Sequence, residues 1–146
     1  MIQRIQSLLL LLGAVAVFGL FKLPFGSVTP SIKASPIFSD GIFNIQDHPA
    51  LLGLFSIAGI LALVAIFLFN NRNLQKVLSR VSIIASIIGM VLAAVLFMQD
   101  ATNMGNQTPS EGFGLGLPIL SIIFILFAIR FINKDDNLVR SMDRLR

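Results

Sequence analysis

Asn70-Asn71-Arg72-Asn73-Leu74-Gln75-Lys76 is a short polar break near the middle of the chain, and its flanks decide the fold class. Residues 50–69 before it carry no charge, and residues 77–98 after it carry only Arg80. Each run reaches the roughly 20 apolar residues that a helix needs to cross a hydrocarbon core about 30 Å thick. Inside lipid a backbone must satisfy its own polar groups, so two such runs joined by a few polar residues read as a helical membrane hairpin. Arg72, Lys76 and Arg80 have no acid beside them, which assigns the turn to the cytoplasmic side.

Towards the amino end, residues 8–21 are wholly apolar and follow a start that contains Arg4. No small-x-small cleavage site follows this run at the right place, so it reads as an uncleaved span over 5–25, with Lys22 snorkelling to the interface. Pro24, Pro30, Pro36 and Pro49 punctuate the next stretch and exclude a continuous helix. Within it, Asp40-Gly41 lies between Ile37-Phe38-Ser39 and Ile42-Phe43-Asn44-Ile45, a hairpin signal because the turn favours residues that accept positive φ. The expectation is a short extended or β-hairpin loop over the outer ends of the helices. His48 and Pro49 then mark a helix start.

The spans are therefore expected at 5–25, 49–69, 77–98 and 113–132. In the third, Ser82, Ser86, Gly89 and Ala93 share one face, a small-residue stripe that lets membrane helices approach closely. An intrachain packing face is the plainer use of it, and a seam between copies the sharper one. After 132 comes a tail, 133–146, with Leu138, Met142 and Leu145 at helical spacing and Asp136 four residues before Arg140. Helix four is expected to continue into this amphipathic tail, whose apolar strip suits a membrane surface or a cytoplasmic protein.

Composition agrees with this class. Charged residues make up 12% of the chain and hydrophobic ones 55%, whereas soluble domains are about a quarter charged. With 146 residues the chain reads as a single domain, 1–146. There is no cysteine, hence no disulfide, thiol chemistry or cysteine metal site. The net charge of +4 and pI near 10.4 reflect topology signals rather than nucleic-acid binding, because no basic face with interleaved aromatics is present. Placing both termini and the central turn on one side gathers Arg4, Arg72, Lys76, Arg80, Arg130, Lys134, Arg140, Arg144 and Arg146 there, nine of the eleven cations. Both termini are thus expected in the cytoplasm.

Three segments give the chain a family likeness: the opening Met-Ile-Gln-Arg-Ile-Gln-Ser, the turn Asn-Arg-Asn-Leu-Gln after Phe67-Leu68-Phe69-Asn70, and the ending from Lys134 to Arg146. In these it resembles the small four-span proteins grouped as the domain of unknown function numbered 4293. The resemblance covers essentially the whole chain. It implies a bacterial inner membrane and four helices, and it carries no activity, catalytic residue or cofactor.

Chemistry-bearing constellations are scarce. His48 is the sole histidine and stands at a helix start beside Asp47, so a metal or haem site has no ligand set. A Ser-His-Asp arrangement would need Ser27, Ser31, Ser35, Ser39 or Ser110 near His48, and no nucleophile turn marks any of them. No span holds a carboxylate of the kind that proton-driven exporters use at depth. Gly112, Gly114 and Gly116 resemble a nucleotide loop by count alone and read instead as a flexible lead into helix four. The expected class is an all-α membrane protein, a four-helix bundle acting as a non-catalytic accessory or assembly subunit of a larger membrane complex. A small oligomeric transporter or channel is the alternative, and an enzyme using Asp47 and His48 is a third. The expected partners are the lipid bilayer and a membrane-protein complex, with no cofactor, nucleic acid or small-molecule substrate. The candidate contact residues are Leu138, Arg140, Met142, Arg144 and Leu145 on the tail, with Arg72 and Lys76 in the turn.

Overall fold

The computed structural model describes residues 2–29, 37–100 and 110–143. Four helices dominate it: α1 (Ile2–Gly19), α2 (Pro49–Phe67), α3 (Arg72–Asp100) and α4 (Gly116–Asp143). α1 packs on α2 and α4, and α3 packs on the same two, so the four close into a ring of sequential neighbours. Pro49–Phe67, Arg72–Asp100 and 113–139 are long and apolar enough to cross a membrane, and Ile5–Gly19 is a shorter apolar helix. At most a third of each long span is buried inside the protein, and side chains such as Ile57, Ile84, Val91 and Leu126 are more than half exposed. In water this surface would drive aggregation; it fits a lipid surround.

Small residues set the helix spacing. A Cβ on Gly59 of α2 would lie 2.8 Å from Cζ of Phe18 on α1, and one on Gly89 of α3 would lie 2.8 Å from Cζ of Phe55 on α2. On the α1–α4 face, a Cβ on Gly13 would come within 2.7 Å of Ile125. Each of these three interfaces thus seats a large side chain over a bare backbone, the packing that substitutes for a hydrophobic driving force in lipid. Ser82, Ser86, Gly89 and Ala93 are all buried. The Ser82 hydroxyl donates to the Ala58 carbonyl at 2.7 Å, and that of Ser86 donates to the Ser82 carbonyl at 3.0 Å. The stripe faces α2 of the same chain, which leaves it unavailable as a seam between copies.

The two longer connections meet at one end of the ring. β1 (Gly26–Ser27) pairs antiparallel with β2 (Ile42–Phe43) and with β3 (Ser110–Glu111), in the order β2-β1-β3. The Asp40-Gly41 turn is present: Gly41 has φ 82° and donates to Phe38, and Asp40 accepts from the Ile42 backbone. The strand paired with 42–43 is 26–27, however, and not 37–39. Phe38 is removed from strand duty by burial: it is fully enclosed and packs on Phe43 and on Phe97 of α3. Phe25 joins the same cluster, 5.2 Å from Phe43 and 6.0 Å from Phe55 between ring centroids. Such tilted aromatic pairs lie within the favourable separation for ring quadrupoles. They supply the packing that a two-residue ladder cannot.

Two helix ends depart most from the sequence expectation, and so does one loop. α1 stops at Gly19 instead of reaching 25; tight turns continue to Leu23, and Pro24 ends the path. α3 begins at Arg72, because the Asn71 side chain accepts from the Leu74 backbone as an N-cap, so the true connection is only 68–71. Gly112 and Gly114 are anchored rather than flexible. Their N–H groups donate to Phe25 and Pro24 carbonyls at 3.0 and 2.9 Å, and a Cβ on either would collide with the Pro24 carbonyl oxygen. α4 runs unbroken through 133–143, so the expected tail is, over these residues, about 16 Å of continuous helix.

Candidate partner-contact site

At the end of the ring opposite the sheet, α1 begins, α2 turns into α3, and α4 leaves the bundle. Arg72 occupies the first position of α3, where the helix dipole disfavours a cation. What holds it there is charge from α4. Its guanidinium lies 3.0 Å from the Asp135 carboxylate and 4.0 Å from that of Asp136, and the Lys76 ammonium lies 3.0 Å from Asp136. The four side chains are between 15% and 25% exposed, so water screens them less than it screens ordinary surface pairs. These bonds tie the first turn and a half of α3 to the α4 extension.

The bonds also fix which way the extension faces. Asp136 and Val139 look onto the turn, where with Phe69, Asn70, Asn71, Arg72 and Asn73 they line a polar cleft of about 450 Å³. Leu138 lies on the outer side, 46% exposed, and Lys134, Asn137 and Ser141 are exposed as well. Met142 falls within α4, one turn after Leu138. Arg140 falls within α4, whereas Arg144 and Leu145 lie outside the described residues. The candidates are therefore of two kinds. Arg72 and Lys76 are turned inward on the chain's own carboxylates, and the extension presents Leu138 outward. Sequence reasoning missed the pairing of Asp135 and Asp136 with Arg72 and Lys76; its signal was two adjacent acids at the start of the tail and two cations in the turn.

The remaining chemistry-bearing groups have local structural work. His48 Nδ1 accepts from the Ala50 backbone at 3.2 Å and so caps α2. Asp47 accepts from the Asn44 backbone, and partial burial pushes its carboxyl above the ordinary range, against that hydrogen bond and with help from Asp40. Among the described residues no three His, Cys, Asp or Glu side chains gather where a metal ion would sit.

No curated protein matches the chain, and no solved structure does. A family model does: the one described as Domain of unknown function (DUF4293) matches residues 2–145. That match spans the bundle, the sheet and the α4 extension together, and the chain belongs to the DUF4293 family.

Proposed function

We propose that the protein is a non-catalytic accessory subunit of a bacterial inner-membrane complex, contacting its partner through the cytoplasmic extension of α4. The single observation that carries this reading is the bracing of that extension. Lys76 and Arg72 fix it to α3 while Leu138 is left exposed. A helix held in one orientation loses little entropy on docking, which is what pre-organisation contributes to affinity. A groove reads a helix through apolar anchors one turn apart, and the sequence sets Met142 four residues after Leu138. The cation excess at this end supports a cytoplasmic location for it, and the exposed Arg80, Arg130 and Lys134 suit anionic headgroups.

The test is a mild-detergent pull-down of the intact protein, of a form ending after Lys134, and of Leu138→Ser, each read by mass spectrometry. The expected result is a stoichiometric membrane-complex protein held by the intact chain and lost with both altered forms. Partner-free samples from all three, normally inserted, would overturn the reading.

A further inference from the structure

α3 and α4 touch least of the four neighbouring pairs. Their seam is pinned by ion pairs at one end and, among the described residues, stands open at the other. The opening is a cavity of about 460 Å³, within the size range of small-molecule pockets. Phe25 and Phe43 form its end beneath the sheet, Met90, Ala94 and Phe97 one wall, and Pro118 the other. From Met90 to Met98 the cavity extends about 12 Å along α3, close to the half-thickness of a hydrocarbon core, about 15 Å.

We propose that this cavity is a binding site for one acyl chain of a phospholipid from the leaflet on the sheet side. The choice of occupant follows from the walls. Water needs two to four polar partners per molecule, and among the described residues the lining offers a single side-chain hydroxyl, that of Ser110. An empty cavity of this size would forfeit the dispersion contacts of its whole lining. Hydrocarbon alone satisfies such walls, and it has direct access: the mouth residues Met98, Leu115 and Ile119 are 72%, 47% and 54% exposed and continue the lipid-facing surface. The two methionines add flexible, polarisable contacts that accept chains of different length and unsaturation. At the water end the Ser110 hydroxyl lines the cavity; it donates to the Ser27 carbonyl at 3.0 Å and shares a 2.7 Å hydrogen bond with the Ser27 hydroxyl, so both hydroxyls are satisfied within the chain. Lipid tails are as apolar as the side chains, so selectivity here comes from shape rather than from hydrophobic transfer. This site stands independently of the partner-contact reading.

The full-length protein, reconstituted in phosphatidylethanolamine–phosphatidylglycerol vesicles containing a phosphatidylethanolamine with a diazirine on its acyl chain, would be irradiated and peptide-mapped. The expected result is label concentrated in segments 90–98 and 115–119. In Ala94→Phe, which grows a ring into the cavity from an exposed position, label is lost there and retained around Ile57 on α2. Label spread evenly over the lipid-facing positions of all helices overturns the proposal, as does a map that Ala94→Phe leaves unchanged. The wild-type map decides the matter even where the variant does not fold.

Discussion

Replacing Gly89 by Ala probes the close packing that defines the ring. The new Cβ would stand 2.8, 3.0 and 3.2 Å from three carbons of the Phe55 ring, against about 3.5–4.0 Å for carbon atoms at rest. Phe55 cannot easily retreat: it is fully buried and has the Phe25 ring on one side. Overpacking of this kind costs about 1–3 kcal/mol. Alanine also favours a helix interior over glycine by about 0.8–1 kcal/mol, which hides part of the cost. Gly53→Ala is the control, because a Cβ there meets nothing within 4 Å. The propensity gain is common to both substitutions, so the stability difference between the variants isolates the clash and should be about 1–3 kcal/mol. Reversible unfolding in mixed micelles, titrated with SDS and followed by helical circular dichroism, measures it. If the two variants differ by only a few tenths of a kcal/mol, the seating of Phe55 over bare backbone is not what fixes α2 against α3.

Three further outcomes follow from particular groups. Asp136→Asn should weaken the bracing of the α4 extension by about 1 kcal/mol, seen as about five-fold faster amide exchange over 133–143 with the span itself unchanged. The raised carboxyl of Asp47 makes its contribution to stability full below the ordinary value of 3.8 and lost as pH rises through the folded value. Asp47→Asn should therefore flatten the acid side of the stability profile and leave neutral-pH stability equal or higher, as followed by unfolding titrations at several pH values. Because the chain has no cysteine, Asn73→Cys and Ser39→Cys give clean single-site reporters. An impermeant maleimide added outside spheroplasts should label position 39 and spare 73, and the reverse pattern would invert the proposed orientation.

The bundle was legible because its signals are periodic and redundant. Runs of about 20 apolar residues, bounded by Asn71, Pro49 and Pro118, leave few alternatives to helices. The small-residue stripe 82–93 also read correctly as a packing face, since Ser and Gly at three- and four-residue spacing fall on one side of a helix. What failed were features decided by tertiary contact. The strand at 37–39 lost to the burial of Phe38, a ring that reaches across to α3. Gly112 and Gly114 looked flexible because nothing local shows the Pro24 carbonyl that forbids a Cβ there. The cavity between α3 and α4 has no sequence signature at all, because it is the space left where Ala93 and Ala94 oppose Pro118 and Ile119. Of the contact site, the tail was visible as a pattern. The acids that brace it were visible only as charges, since the partner of Asp136 lies sixty residues away.

The central claim is that the braced extension of α4 is a contact surface. A photo-crosslinking amino acid at position 138 in living cells tests it most directly, with the same residue at position 57 on the lipid-facing side of α2 as reference. One discrete protein adduct is expected from position 138, absent from position 57 and lost when Asp135 and Asp136 are both changed to Asn. Adducts of equal pattern from the two positions, or none but lipid from 138, would contradict it.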